Sequence, residues 1–235
     1  MMIRKIILFL SIVLSAFATN AEISDYRLDL KDFSELKVNN NLNVEYYNTG
    51  DSVGYAEFSC NPEIAKMLIF SNNKSALVIQ VDDEYSGKEE LPKIKVYSSK
   101  LEKVENGADS TVRIVTNCPV TNFKARVIGN GTIVIDTVEA TSTDLSLMTG
   151  HGQMICKEGQ TFKAKLTNIG TGTIQVGSLK ANQVRVMISG TGSIDCCATD
   201  NLTVYGMGSG CVYYSGNPKK VSNRSVGIKA YPVKQ

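Results

Sequence analysis

The chain has 235 residues, with 25 basic and 23 acidic side chains and a formal net charge of +2. So small a net charge supplies no strong overall field toward nucleic acid or anionic lipid, and no nucleic-acid partner is expected. Tryptophan is absent and aromatic residues make up 7% of the chain, which argues against a deep, aromatic-lined sugar cleft.

Residues 1–21 have the pattern of a secretory signal peptide. Arg4 and Lys5 form a charged start, an apolar run over residues 6–14 follows, and small residues precede the end of the segment. The run is too short for a comfortable membrane span, and no other segment is long and apolar enough for one. We expect an exported protein that is periplasmic, on the outer-membrane surface or secreted, with a single domain over residues 22–235 and no transmembrane segment.

Residues 22–104 predict a less regular β region. Apolar residues alternate in Leu42-Val44-Tyr46 and again in Leu77-Ile79-Val81, as they do in strands with one buried face. Residues 61–68 predict one short helix, because Asn61 suits the cap and Pro62 suits the first helical position. The acidic stretch 82–90 predicts an exposed loop.

Residues 105–235 are regular, because a Gly-x-Gly-polar cassette recurs there. The second glycines of successive cassettes advance by 21, 20, 20 and 18 residues. A period near 20 with strand-like flanks is typical of a solenoid, in which each coil buries its apolar edge on the next. Residues 101–115 are interpreted as a degenerate copy, and residues 223–228 as part of a final capping coil. The five cassettes begin at Gly129, Gly150, Gly170, Gly190 and Gly208.

Apolar residues stand two and four positions after each second glycine, which predicts a strand with one buried face. The sequence therefore predicts an all-β fold, a right-handed parallel β-helix with coils of about 20 residues and equivalent residues about 4.8 Å apart. A third, less regular stretch, such as residues 137–143, is expected to close each turn. The two predicted inward rows are Ile133, Met154, Ile174, Ile194, Val212 and Ile135, Cys156, Val176, Cys196, Tyr214.

The glycines are explained by a corner between two strands, where a positive φ is often needed. A phosphate-binding loop is the rival interpretation, but it requires Gly-x-Gly-x-x-Gly followed by a helix. Because β-branched residues follow the cassettes instead, nucleotide binding is disfavoured and no cofactor is predicted.

Six cysteines in an exported protein are enough for three disulfides. Cys156 and Cys196, however, fall on one inward row two coils apart, about 9.6 Å by strand spacing. That distance is beyond bridging range, so both are interpreted as small buried apolar residues. The pairing of the other four stays open, and no cysteine or histidine spacing predicts a metal site.

The residues between the paired glycines are expected to form an outward polar ladder along one corner. Such an array of hydroxyls and amides suits a polysaccharide or protein ligand, although small polar residues are also what tight solvated corners tolerate. Both interpretations stay open, and no catalytic, cofactor-binding or metal-binding residue is predicted. The candidate ligand-binding residues are Asn130, His151, Thr171, Thr191 and Ser209.

β-Helices also include polysaccharide-cleaving enzymes, which need carboxylates within reach of each other or of a bound metal. The aligned neighbours of Asp195 are Gln175 and Tyr213, and those of Asp136 are Lys157 and Gly177, so no acidic pair lines up. The sequence therefore predicts no enzyme, although a groove that gathers acidic and basic groups from separate coils would revive that interpretation.

Several motifs together carry a family resemblance. They are the leader, the opening Phe33-x-x-Leu36-x-Val38, the serial Gly-x-Gly-[Thr/Ser]-Ile coils and the closing Gly-Asn-Pro-Lys-Lys-Val over residues 216–221. In this combination the chain resembles the head GIN domain family of putative auto-transporter adhesins of Bacteroidetes-type bacteria, approximately over residues 32–233. The resemblance implies a β-helical fold and an adhesive role, and it carries over no catalytic residue.

The leading functional hypothesis is an exported, non-enzymatic, adhesin-like module that contacts a surface glycan or protein through the solenoid. The regular polar face without aligned catalytic groups favours it. An envelope structural protein that self-associates as a homo-oligomer or contacts lipid is the first alternative, and a polysaccharide-active enzyme is the second.

Overall fold

The computed structural model describes residues 23–87 and 90–233, so the predicted signal peptide lies outside the described residues. The fold is a parallel β-solenoid of about six turns, with coils of about 20 residues. The predicted all-β fold class is confirmed. No helix in these two ranges is long and apolar enough to cross a membrane.

The elements follow in chain order. The amino-terminal part contains β1 (Ser24–Leu30), β2 (Glu35–Val38), β3 (Val44–Asn48), β4 (Gly54–Cys60), α1 (Pro62–Met67), β5 (Leu68–Asn73), β6 (Ala76–Val81) and β7 (Ile94–Ser98). The coils continue through β8 (Lys103–Asn106), β9 (Thr111–Ile114), β10 (Val120–Ile128), β11 (Thr132–Ile135), β12 (Val138–Met148) and β13 (Gln153–Cys156). The chain then forms β14 (Gly159–Gly170), β15 (Thr173–Gly190), β16 (Ser193–Gly208), β17 (Cys211–Ser215), β18 (Lys220–Asn223) and β19 (Lys229–Pro232).

The predicted inward ladder is confirmed residue by residue. Ile133 pairs in parallel register with Met154, Met154 with Ile174, Ile174 with Ile194, and Ile194 with Val212. All five side chains are fully buried. The alternation of apolar and polar residues places this row inside because successive strand side chains point to opposite faces.

The stretch expected to close each turn less regularly is strand in β12, β14, β15 and β16, and its irregularity is confirmed between β15 and β16, where the register shifts between Val176 and Lys180 and again between Ala181 and Gln183. Residues 138–143 belong to β12, and Ala140 pairs with Thr161, which pairs with Ala181, which pairs with Ala198. Alternate residues such as Val138 and Leu179 are buried, so this side of the coil contributes to the core as the other two sides do.

The two glycines of each cassette are required for two different reasons. The first glycine of each cassette has a positive φ, for example +128° at Gly170 and +131° at Gly190, as the corner argument predicts. The second glycine does not have a positive φ and is buried. A Cβ on Gly152 would lie 2.9 Å from the Gly129 carbonyl oxygen, so this position stays glycine because successive corners approach closely.

The amino-terminal coils are stacked out of chain order. The β2–β3 coil lies between the β6–β7 coil and the β8–β9 coil, with parallel pairing on both sides. Beyond β7, β4 and then β1 continue the sheet in antiparallel register, and β5 pairs with β6. These strands cover the amino-terminal end of the solenoid.

The short elements predicted in this region are confirmed. Helix α1 begins after Asn61, whose side chain accepts a hydrogen bond from the Glu63 N–H at 2.9 Å. Residues 82–87 form the predicted loop, with residues 88–89 outside the described range. The degenerate repeat is also a true coil, because β8 pairs with β10 and β9 pairs with β11.

All six cysteines are free. Cys156 and Cys196 are buried on the inward row, as predicted. Burial raises the pKa of each of these two thiols to about 12.

Candidate functional site

The five candidate ligand-binding residues lie in successive coils at one corner, and all five are exposed. Hydrogen bonds connect the first coils. The Asn130 backbone N–H donates to Asp109 Oδ1 at 3.3 Å, and the His151 N–H donates to Asn130 Oδ1 at 3.1 Å. His151 Nδ1 contacts Thr171 Oγ1. The structure therefore brings the predicted residues together as one outward ladder, which begins one coil earlier, at Asp109.

The ring of His151 lies against the next residue of the ladder. The Thr171 hydroxyl that it contacts also donates to the Gly150 carbonyl at 3.1 Å. Further along, the backbone N–H groups of Thr191 and Ser209 donate to carbonyls of the preceding coil at 3.1 Å. Their side chains form no hydrogen bond with another described residue and remain available to a ligand.

A groove of about 600 Å³ lies beside the corner ladder. Its floor is the outward row between the two inward rows, where Gln175, Asp195 and Tyr213 pair in register. The hydroxyls of Thr173 and Ser193, one position past each cassette glycine pair, line its edge 3.4 Å apart. The groove therefore lies next to the ladder, since Thr173 stands two positions after Thr171 and Ser193 two positions after Thr191.

Asp195 is the carboxylate of the groove, and its pKa is shifted. Burial raises the pKa of its carboxyl, and a hydrogen bond from the Gly177 N–H counteracts part of that rise. Gly177 makes room for the carboxylate, because a Cβ there would lie 2.5 Å from Asp195 Oδ2. This carboxyl is well placed to exchange water for a hydroxyl-bearing ligand, since burial has already removed part of its solvation.

Tyrosine rings supply the apolar part of the groove. Tyr213 is 42% exposed and stacks on Tyr231 with ring centroids 5.9 Å apart. Tyr214, predicted to point inward, packs partly buried against the core. The strand alternation thus sends one tyrosine of the pair inside and leaves the other as a flat contact surface.

The nearby acid Asp136 is already neutralised. Its carboxylate lies 2.6 Å from Arg113 Nη2 and 2.8 Å from Lys157 Nζ. Burial raises its pKa, but the hydrogen bonds from these two cations outweigh burial and hold the pKa below its usual value. Among the described residues that line the groove, Asp195 is the one carboxylate. Over residues 23–87 and 90–233, no group of three acidic, histidine or cysteine side chains is placed to hold a metal.

The sequence analysis missed a partly exposed apolar row on the other side of the corner. The signal was present, because an apolar residue stands just before the first glycine of several cassettes. These residues pair through the coils from Ile128 to Met148 and Ile169, then through Ser189 to Met207 and Val226.

The sequence and the fold both match known proteins. The family model described as "Putative auto-transporter adhesin, head GIN domain" matches residues 32–218. A putative adhesin from Bacteroides fragilis is similar in structure, with TM-score 0.80 and 21% identity over 91% of this chain and 98% of that chain. Two further structures share the fold. One is a putative lipid binding protein from Parabacteroides distasonis, with TM-score 0.70 and 19% identity over 90% of this chain and 98% of that chain. The other is a putative adhesin from Parabacteroides merdae, with TM-score 0.69 and 17% identity over 92% of this chain and 98% of that chain. A comparison with curated proteins finds no match.

Proposed function

We propose, since this chain belongs to the head GIN domain family of putative auto-transporter adhesins, that it is an exported, non-enzymatic module that binds a cell-surface or extracellular glycan. The contact surface is the groove together with the corner ladder of Asn130, His151, Thr171, Thr191 and Ser209. Export is supported by the leader pattern of residues 1–21.

The observation that carries the proposal is the in-register row of Gln175, Asp195 and Tyr213 on the groove floor. A glycan presents hydroxyls that both donate and accept hydrogen bonds, and an amide beside a carboxyl matches them. A sugar ring also presents an apolar face, which a flat tyrosine ring covers. These three side chains come from successive coils about 4.8 Å apart, so a linear chain lying across the coils meets them in turn.

The groups around the groove favour binding over cleavage. Two-carboxylate glycoside hydrolysis needs a second acid within about 10 Å that is free to act as base or nucleophile. Asp136 is engaged by Arg113 and Lys157, and His151 is engaged by Thr171. The family description as an adhesin agrees with this interpretation.

The test is a glycan array probed with the processed protein, followed by affinity measurements on variants. Gln175→Ala with Tyr213→Ala removes the two groups that flank Asp195 on the groove floor. Tyr205→Ala is the matched control, because Tyr205 is also an outward tyrosine but stacks under Arg185, 4.6 Å away, outside the groove.

We expect the double variant to lose about 30-fold in affinity, since an aromatic anchor at a binding site contributes about 2 kcal/mol. The control should bind as the unmodified protein does. Thr171→Ala with Thr191→Ala should give a smaller loss if the corner ladder contributes. Absence of binding to any glycan, or equal binding by the groove variant, would count against the proposal.

A further inference from the structure

The two ends of the solenoid differ in whether further strands cover them. The amino-terminal end is covered by antiparallel strands, but β18 pairs only with β16 and β19 only with β17 among the described residues. Val221 continues the inward row above Leu202, yet it is 41% exposed because no other coil of the described residues covers it. Solenoids normally need an end with a polar outer face, so this uncovered core end points to an interaction.

The charge of the chain is segregated along the solenoid. Residues 22–100 contain 14 acidic and nine basic residues, and residues 101–200 contain nine of each. Residues 201–235 contain five basic residues and no acidic one. Lys219 pairs with Asp200 at 2.7 Å, whereas Lys220, Arg224 and Lys229 form no ion pair with a described residue. The overall charge of +2 therefore conceals a basic end.

Exposed apolar side chains lie at the same end of the solenoid as these cations. Met207 and Val226 pair through a bridge and are 68% and 71% exposed. Arg224 stands two residues before Val226 in the same coil, and its backbone N–H donates to the Val204 carbonyl. We call Met207, Lys220, Arg224, Val226 and Lys229 the basic end patch. Its combination of unpaired cations and exposed apolar groups matches a surface with phosphate headgroups above acyl chains.

We propose that the basic end patch docks the protein on an anionic lipid surface. Two copies joined by these ends would bring like charges together, and lysines beside the open edge strands oppose strand addition by another chain. An acidic polysaccharide would match the cations but would leave Met207 and Val226 without a partner. A lipid interface satisfies both kinds of group, while the open strand edge stays hydrated at headgroup level.

The test is sedimentation of the processed protein with vesicles of phosphatidylcholine alone and with added phosphatidylglycerol. Each basic residue near an anionic surface strengthens binding by about five-fold, so Lys220→Gln with Lys229→Gln should weaken binding about 25-fold. The charge-matched control is Lys31→Gln with Lys124→Gln, at exposed lysines outside the patch. Met207→Ser with Val226→Ser tests the apolar half at side chains too exposed to affect folding.

The proposal is supported if binding requires phosphatidylglycerol, weakens in both patch variants and persists in the control. It is overturned if the unmodified protein ignores anionic vesicles, or if the control variant loses binding equally. Competition by inorganic phosphate alone, or binding to an acidic polysaccharide in place of vesicles, also overturns it. Because the patch variants leave the groove intact, their glycan binding separates this proposal from the proposed function.

Discussion

The stacked inward rows predict that a Val→Ala substitution lowers the free energy of unfolding more inside the solenoid than at its carboxyl-terminal end. Val186 is fully buried between Leu166 and Val204 of the flanking coils. Val186→Ala removes two carbon groups, worth about 1.6 kcal/mol at about 0.8 kcal/mol each. The enclosed cavity raises the loss of unfolding free energy to about 2.5 kcal/mol, because hydrogen-bonded coils on both sides resist collapse.

Val221→Ala is the matched comparison. Val221 occupies an inward position of the last described coil but is 41% exposed, because no further described residue covers it to enclose a cavity. Scaling the transfer free energy by its buried fraction gives a loss of about 1 kcal/mol. Urea unfolding of both variants, with equal slopes required for comparison, measures the difference. Equal losses would refute the argument that enclosure by neighbouring coils sets the cost.

Three further outcomes are expected. Asp195→Asn should raise the melting temperature at pH 7. Folding raises the pKa of the Asp195 carboxyl, so the wild-type protein loses stability as the pH rises through that pKa, and the uncharged amide avoids this loss. The gain should vanish near pH 3, where the wild-type carboxyl is protonated in both states; a gain that persists there would contradict the argument. Gly170→Ala should lower the free energy of unfolding by about 2 kcal/mol more than Gly50→Ala does. Both glycines have a positive φ, but only at Gly170 would the added Cβ meet a carbonyl oxygen, that of Gly150, at 2.9 Å. Similar melting temperatures of the two variants would disprove this. In native protein at pH 8, iodoacetamide should leave Cys196 unlabelled until urea is added, because burial raises its thiol pKa to about 12; mass spectrometry detects any earlier labelling.

The regular coils were predictable because every coil meets the same physical constraint. The alternation after each cassette placed Ile174 and Ile194 on one inward row, and the glycine corner placed Thr171 and Thr191 on one outward ladder. The register followed directly, since parallel stacking pairs equivalent residues. The same alignment already paired Asp195 with Gln175 and Tyr213, as the structure confirms.

The features that the sequence did not predict depend on contacts between segments that are not copies of one repeat. No periodicity shows that β2 pairs with both β6 and β8, because these partners lie on opposite sides of it in space and both come later in the chain. The perturbed carboxyl of Asp195 follows from its depth beside Gly177, which alignment does not report. The basic end patch was hidden because overall charge averages over a molecule whose two ends carry opposite signs.

The interleaved first coil determines the order in which the solenoid is wound. The β2–β3 coil receives all its parallel hydrogen bonds from segments that follow it, on one side from β6–β7 and on the other from β8–β9. A chain synthesised from its amino terminus therefore cannot complete this coil until Ile114 has been made. Every later coil, in contrast, closes on a template that already exists, so the slow step of folding is expected in the first half of the chain.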